Sequence, residues 1–383
     1  MLDKLLDFIG SLRLTVVLLT FAMVLVFVGT LAQVNHGIYA VQKQYFQSLL
    51  VFWGPAGAGW KIPILPGGYL LGALLLINLA VSQATRFEFK RDNLGLYVVH
   101  GGVALLLVGQ LFTDKMQVES YMRLEEGQSA YYSESSRVME LAFIEDSNPA
   151  HDTVVSVPEA QLARQKEIVH ASLPFRVRVT RYHANSELAN RRADAAEPPP
   201  ATQGFGVSLG LVAKPPTAKT DERNLPSAVI EILEGDRSLG TWLVSAVLRE
   251  AQAFQAAGRS WKVALRPMRF YKPYSIQLLD FTHEKYPGTE IPKNFSSKVK
   301  VHHPGTKEER EVLIYMNNPL RFGGETYYQS GYEGDRVTVL QVVRNPAWLT
   351  PYIACLLVGF GLLAHFLISL TSFVRDAAKR RAA

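Results

Sequence analysis

Four long apolar runs stand out along the chain, at residues 12–32, 67–84, 94–112 and 348–373. Each run has about 18 to 26 residues, which allows a helix to cross roughly 30 Å of hydrocarbon. The first run is longer than the apolar part of a signal peptide, and no convincing small-residue cleavage site follows it, so we expect an uncleaved anchor. The pattern therefore predicts a membrane protein with about four transmembrane helices.

Between the third and fourth runs, apolar and polar residues alternate as they do in half-buried strands. The stretches that suit strands are residues 175–182, 276–281, 299–301 and 337–343. Turn signals occur at residues 234–236, 303–305 and 323–324. We predict a large antiparallel β-rich domain, sandwich-like and with two lobes, whose lobes meet at a surface linker over residues 194–204.

Together these patterns predict three regions. Residues 1–113 form an N-terminal membrane domain with three transmembrane helices. Residues 114–345 form the β-rich domain, inserted between the third and fourth helices. Residues 346–383 form a C-terminal transmembrane helix and a basic tail.

The distribution of charge gives this arrangement an orientation. The basic residues that flank the apolar runs on one side are Lys4, Arg13, Arg86, Lys90, Arg91, Arg375, Lys379, Arg380 and Arg381. The loop over residues 33–66, on the other side, holds only Lys43 and Lys61. Because cytoplasmic loops carry the excess of Lys and Arg, we expect both termini in the cytoplasm and the β-rich domain to be extracytoplasmic.

Composition excludes several classes of function. The formal net charge is +6, but the basic residues flank apolar runs and form no basic stripe on a soluble face, so a nucleic-acid partner is not expected. The single cysteine, Cys355, excludes an intrachain disulfide, a CxxC redox pair and a CxxCH haem-attachment site. The chain has no Ser/His/Asp constellation, HExxH or Walker sequence, so we expect no catalytic residues of its own.

His100 is the most informative residue of the third run. It lies about six residues from the cytoplasmic boundary, or roughly 9 Å into the membrane at 1.5 Å per residue. An ionisable side chain at that depth is costly and is usually functional or paired. Two interpretations stay open from the residues alone: a ligand or proton-handling group, or a histidine hydrogen-bonded to a neighbouring helix.

His365 lies in the fourth run, at a depth that its distance from the end of the run makes similar to that of His100. The two histidines could face each other, or His365 could be an isolated histidine near the interface. The remaining histidines, which we predict to be surface residues, are His36, His151, His170, His183, His283, His302 and His303.

Four segments resemble the ResB/CcsB family of System II cytochrome c biogenesis. They are residues 29–48 (GTLAQVNHGIYAVQKQYFQS), 97–111 (YVVHGGVALLLVGQL), 122–132 (MRLEEGQSAYY) and 315–332 (YMNNPLRFGGETYYQSGY). The last segment is the most specific. The middle of the chain, roughly residues 150–270, carries no such segment.

The resemblance implies a haem-handling complex in the bacterial inner membrane. In this family a CcsB-type chain acts with a tryptophan-rich CcsA-type membrane protein. Their complex carries b-type haem across the membrane as a transported substrate and attaches it to CxxCH motifs of apocytochrome c. By its span, depth and flanking sequence, His100 matches the family's haem-iron ligand, whereas His365 has weaker support as a second ligand.

The five tryptophans of this chain are dispersed. They do not form the tryptophan-rich segment of the CcsA type, so the resemblance implies one subunit of a haem lyase complex. The alternative is a non-catalytic scaffold, embedded in membrane lipid, that presents apocytochrome to the partner and has no haem ligand of its own. A solute transporter is disfavoured by the small number of spans and the lack of an inverted repeat.

Overall fold

The computed structural model describes residues 2–55, 59–86, 90–148, 151–164, 166–191, 198–217, 223–289 and 292–382. The chain divides into two compact units. One contains residues 1–117 and 345–383, and the other contains residues 118–217 and 222–344. The first unit is mainly helical and the second mainly β-sheet.

In chain order the α-helices are α1 (Leu2–Ile9), α2 (Leu12–His36), α3 (Ile38–Val41), α4 (Gly68–Arg86), α5 (Leu94–Met116), α6 (Glu159–Arg164) and α7 (Thr350–Ala382). A π-helical turn (Gln42–Phe46) follows α3, and short 3-10 turns occur at Arg91–Asn93 and Gly204–Val207.

Four of these helices are long and apolar enough to cross a membrane: α2, α4, α5 and α7. The four predicted transmembrane helices are therefore confirmed, as is the β-rich domain between the third and the fourth. Both α2 and α5 extend four residues beyond the predicted ends at 32 and 112, to His36 and Met116. Hydropathy reports only the part of a helix that lies in hydrocarbon, whereas its backbone hydrogen bonds continue into the interface.

Glycines spaced seven residues apart join α5 to α7. Gly95, Gly102 and Gly109 are all buried. A Cβ added at Gly95 would lie 2.6 Å from the carbonyl oxygen of Gly361, and one added at Gly102 would lie 2.7 Å from Cγ2 of Val358. Small residues at such positions let two helix backbones approach closely, which is how helices associate in a membrane.

Asn78, a polar residue in the middle of the second span, ties α4 to the break between α1 and α2. Its Nδ2 donates to the carbonyl oxygens of Ile9 at 2.5 Å and Ser11 at 3.2 Å, and its Oδ1 accepts from Thr15 Oγ1 at 2.7 Å. Asn78 is only 3% exposed. Its amide therefore satisfies the carbonyl oxygen at the end of α1 and adds a second bond to that of Ser11, which also accepts from Thr15 N–H of α2.

The strands are β1 (Leu50–Trp53), β2 (Ile62–Pro66), β3 (Val118–Glu125), β4 (Ser129–Glu145), β5 (Thr153–Pro158), β6 (Glu167–Ile168), β7 (Arg176–His183), β8 (Ser186–Asn190), β9 (Leu209–Ala213), β10 (Ser227–Glu234), β11 (Arg237–Ser245), β12 (Gln252–Ala256), β13 (Arg259–Lys285), β14 (Pro292–His303), β15 (Glu308–Tyr315), β16 (Leu320–Phe322), β17 (Glu325–Glu333) and β18 (Val337–Arg344).

The main sheet of the second unit has ten strands. Its path is β15-β14-β13-β4-β3-β18-β17-β16, with β12 paired to β13 and β5 paired to β4. A second sheet has the order β11-β10-β7-β6, and β8 pairs with β9. Every pairing between these strands is antiparallel, as the sequence predicts.

The second unit has two large hydrophobic cores. One lies between the four-stranded sheet and one half of the ten-stranded sheet, and it buries Phe143, Ile230 and Trp261. The other is enclosed by the remaining half and buries Met122 and Leu340. The two predicted lobes therefore exist, and each long strand, β4 and β13, contributes to both cores.

The predicted meeting point of the lobes at residues 194–204 is wrong. Residues 194–197 lie outside the described residues. Ala201, further along the same stretch, is only 1% exposed and packs with Val229 and Leu243. The lobes instead meet along β4 and β13, where the pairing register shifts between Pro267 and Arg269 and again between Tyr271 and Ile276.

The predicted tight turn at Gly323 and Gly324 is confirmed. These glycines have φ values of 59° and 76°, and the flanking residues Phe322 and Glu325 pair across the hairpin of β16 and β17. A two-residue hairpin turn with positive φ at both positions suits glycine. The turn begins β17, which carries the side chains of a buried polar network described below.

Candidate functional site

His100 lies on α5 and meets a side chain from α4. The ring Nδ1 of His100 is 2.9 Å from Nε2 of Gln83, and both side chains are half-buried. A histidine in a membrane span is costly unless it has a partner. The structure thus places His100 at the contact between the second and third transmembrane helices.

The neighbours of His100 define the faces of α5. Val99 lies against Gly361 of α7, and Gly102 lies against Val358 of the same helix. A Cβ added at Gly101 would meet nothing within 4 Å. The His100 ring is therefore directed toward α4, and the helix surface beside it at Gly101 is open and unhindered.

His365 faces a different neighbour. Its Cβ lies 2.6 Å from where a Cβ on Gly95 would be, so His365 sits beside the N-terminal start of α5. Gly95 precedes His100 by five residues, which corresponds to about 7.5 Å along the helix. Glycine packing between α5 and α7 therefore sets the position of His365 along α5, beside Gly95. Within the described residues, Nδ1 of His365 is buried and has no hydrogen-bond partner.

A buried polar network joins β13 to β17 in the second core. One carboxylate oxygen, Oε2 of Glu325, accepts from Lys272 Nζ at 2.6 Å, Tyr274 OH at 2.9 Å and Tyr327 OH at 2.8 Å. Burial, followed by the nearby charge and hydrogen bond of Glu325, raises the pKa of Tyr274. Burial is also the main cause that raises the pKa of Tyr327. Both phenols are therefore held protonated, as hydrogen-bond donors.

Comparison with known proteins places this network within a recognised family segment. Residues 236–339 match the ResB-like family. The resemblance to the ResB family is confirmed. The matched segment of this ResB-like chain runs from the start of β11 into β18, so it begins inside the part of the sequence that had shown no family segment.

Protein NrfI of Wolinella succinogenes is a relative of this ResB-like chain. The two are 25% identical over 307 residues, which cover 78% of this chain. The chain spans 30% of the length of that relative.

The network around Glu325 gives a physical reason for the specific segment 315–332 of the ResB-like chain. Glu325 and Tyr327 both come from this segment, and Gly323 makes the turn before them. A Cβ added at Gly323 would lie 2.6 Å from the ring of Tyr274. The segment is therefore constrained by packing and by buried hydrogen bonds in the β-rich unit.

The prediction that His283 is a surface residue is wrong. Within the described residues, both of its ring nitrogens are buried and lack hydrogen-bond partners. Its ring centroid lies 4.1 Å from that of Tyr332 and 6.4 Å from that of Phe281. Because residues two apart on a strand share a face, the spacing of Phe281 and His283 was the signal that could have placed this histidine on the apolar side.

The histidines of the β14 end behave differently from each other. His302 is exposed and its Nδ1 lies 3.1 Å from Glu309, whereas the ring of His303 stacks on Tyr274 at 6.1 Å. The two rings thus have different neighbours, as expected for adjacent residues on a strand, whose side chains alternate between its faces. Among the described residues, no group of three or more His, Cys, Asp or Glu side chains could hold a metal ion.

Proposed function

We propose that this chain is the membrane subunit of a System II cytochrome c synthase. It handles haem as a transported substrate and acts with a tryptophan-rich CcsA-type partner, which attaches the haem to CxxCH motifs of apocytochrome c. The match to the ResB-like family and the relationship to Protein NrfI support the role in cytochrome c biogenesis. The observation that carries the haem assignment is the imidazole of His100, held by Gln83 inside a transmembrane helix.

The surroundings of His100 fit a haem ligand. Neutral imidazole is a common axial ligand of haem iron. The absence of a side chain at Gly101 leaves room for a planar macrocycle next to the ring, since no atom lies within 4 Å of the position of a Cβ there. Bound haem would supply the iron that His100 coordinates and the vinyl groups to which the apocytochrome thiols add.

His100 lies close to the cytoplasmic end of α5 in the proposed orientation. Six residues separate it from Leu94, or about 9 Å along the helix. Haem comes from the cytoplasm, so a shallow ligand on that side suits capture before transport. His365 faces Gly95 and not His100, so the second axial ligand is assigned to the partner subunit.

The test is His100→Ala in the full chain, purified with its CcsA-type partner. The complex should still assemble, because His100 is not part of the glycine contact between α5 and α7, but it should lose most of its haem absorbance and fail to mature a CxxCH reporter. Added imidazole should restore some maturation by replacing the missing ligand. His365→Ala is the matched control and should have a smaller effect.

A second candidate function is that of a scaffold that presents apocytochrome to the partner. An exposed tyrosine cluster on the β-rich unit favours it: Tyr131 and Tyr271 are 56% and 49% exposed, and their rings stack at 6.0 Å. Arg269 lies 4.1 Å over the ring of the adjacent Tyr132. Tyrosine and arginine are enriched where proteins bind each other. Normal haem content in the His100→Ala complex would favour this role over haem ligation.

A further inference from the structure

We propose that Gln83 is a positioning residue for His100, and that it selects the ring tautomer that can bind haem iron. In that tautomer, Nδ1–H of His100 donates to Oε1 of Gln83, and Nε2 of His100 carries the lone pair that coordinates the iron. The inference rests on the proposed function, because it concerns the same haem ligand.

The first support is the contact itself. The side-chain amide of Gln83 reaches Nδ1 of His100 across the interface between α4 and α5, at 2.9 Å. An unsatisfied polar group within a transmembrane helix is costly, so the imidazole of His100 gains from a polar partner on α4. Two such residues on neighbouring helices, in hydrogen-bond contact, form a specific pair that fixes the orientation of the ring.

The second support is the other end of the amide. Oε1 of Gln83 is buried and has no hydrogen-bond partner within the described residues. When Nε2 of Gln83 points toward the ring, the amide donates to Nδ1 of His100. The ring proton of His100 is then on its own Nε2, which cannot ligate iron in that form. This orientation leaves the amide oxygen unsatisfied, so it is not a strongly preferred one.

Rotation of the amide by about 180° reverses these roles. The terminal torsion of glutamine is broad and roughly two-fold, and the rotation exchanges the positions of Oε1 and Nε2. Oε1 then accepts Nδ1–H of His100, which leaves Nε2 unprotonated. In each orientation, one end of the Gln83 amide points away from the ring. Iron bound at Nε2 of His100 is therefore sufficient to select the orientation in which Oε1 of Gln83 faces the ring.

This arrangement is the one that ligating histidines commonly use. The ring nitrogen that does not bind metal usually donates to an oxygen, and loss of that acceptor typically costs about 10- to 100-fold in metal affinity. A neutral amide orients the ring without adding a charge to the membrane. Gln83 therefore holds His100 ready for iron and lets the ring return to the other tautomer when the haem moves on.

The experiment uses the full chain in complex with its CcsA-type partner, and measures haem content and the midpoint potential of the bound haem. Gln83→Met keeps the length of the side chain but removes the acceptor, and should lower haem affinity by about 10- to 100-fold. Haem that remains should have a more positive potential, because the ligand donates less charge. Gln83→Glu restores an acceptor and should retain haem at a more negative potential than Gln83→Met.

Gln110→Met is the matched control, since Gln110 lies on an exposed side of α5, the helix that carries His100. It should leave haem content and potential unchanged. If Gln83→Met does not assemble with the partner, Gln83→Asn takes its place, because the shorter amide cannot reach the ring and should show the same loss.

The outcomes separate this inference from the proposed function. If His100→Ala loses haem while Gln83→Met and Gln83→Glu keep the wild-type haem content and potential, Gln83 only fills space and the inference is overturned. If His100→Ala keeps its haem, the haem-ligand assignment fails, and the role of Gln83 fails with it.

Discussion

At the scale of the residue, two histidines carry ring nitrogens that are buried without a hydrogen-bond partner in the described part of the chain: His283 has two and His365 has one. A buried donor or acceptor without a partner costs about 1–3 kcal/mol. In His283 this cost is partly offset by packing, since the ring contacts those of Phe281 and Tyr332. The imidazole is therefore held by aromatic contacts.

We predict that His283→Phe unfolds at the same temperature as the wild type or higher. The change removes two unpaired polar atoms and keeps an aromatic ring, although the larger ring must fit without overpacking, which can cost about 1–3 kcal/mol. Thermal unfolding of the full chain in detergent measures the effect. His283→Ala is the control and should unfold at a lower temperature, because it leaves a cavity. An unfolding temperature for His283→Phe below that of the wild type would contradict the prediction.

The sequence singled out His100 in the membrane unit but not Gln83, the residue that contacts it. His100 was recognisable because an ionisable group in an apolar run is unusual. Gln83 was not, because it lies at the end of its own run, where polar residues are common, and only the packing of α4 on α5 reveals the contact. The packing of His365 beside Gly95 was not predictable either, since the register of α7 on α5 depends on glycines whose partners cannot be read from one span alone.

At the scale of the element, the two adjacent glycines of α5 have different roles. Gly102 faces α7, where a Cβ would lie 2.7 Å from Val358 Cγ2 and 2.9 Å from the carbonyl oxygen of Ala354. Gly101 faces open space. One glycine therefore serves helix packing, whereas the other leaves the surface beside His100 clear.

We expect Gly102→Leu to destabilise the contact between α5 and α7 by about 1–3 kcal/mol, the usual cost of overpacking. Gly101→Leu should leave the stability of the chain nearly unchanged, because its side chain meets open space. The thermal unfolding of both variants compares them directly. Equal destabilisation by both would show that this description of the faces of α5 is wrong. If the proposed function is correct, Gly101→Leu should also reduce haem binding without unfolding the protein.

The helices could be predicted well, whereas the longest strand could not. Long apolar runs have few interpretations other than a membrane span. β13, by contrast, is 27 residues long and contains Pro267 and Pro273. Proline lacks an N–H for the ladder and normally argues against a central strand. The structure accommodates the prolines where the pairing of β13 with β4 shifts register, and no local pattern in the sequence shows such a shift.

At the scale of the whole molecule, charge next to the membrane spans determines the proposed orientation. The short segment between α4 and α5 and the end of α7 are basic, and the positive-inside tendency then places both termini in the cytoplasm. In this proposed orientation the β-rich unit, which lies between α5 and α7 in the chain, would be on the other side of the membrane. This is the side on which apocytochrome c would receive its haem.

We predict that a membrane-impermeant thiol reagent added to intact cells labels Gly127→Cys but not Asn93→Cys. The test needs a background in which Cys355, the single natural cysteine, is replaced by serine. Gly127 lies in the turn between β3 and β4, and Asn93 lies just before α5. Labelling of Asn93→Cys should appear only after the membrane is permeabilised. Labelling of Asn93→Cys in intact cells would contradict the proposed orientation.

The partnership of α5 with α7 also has a consequence for synthesis. The entire β-rich unit, residues 118–344, is made after α5 and before α7. At about 5–20 residues per second, the ribosome needs on the order of 10 to 50 seconds to cover that distance. During this interval Gly95, Gly102 and Gly109 have entered the bilayer without the helix that later covers them. Until α7 is inserted, lipid chains or an insertion factor must cover the surface that these three glycines form on α5. Completion of the membrane unit therefore waits for translation of the β-rich unit.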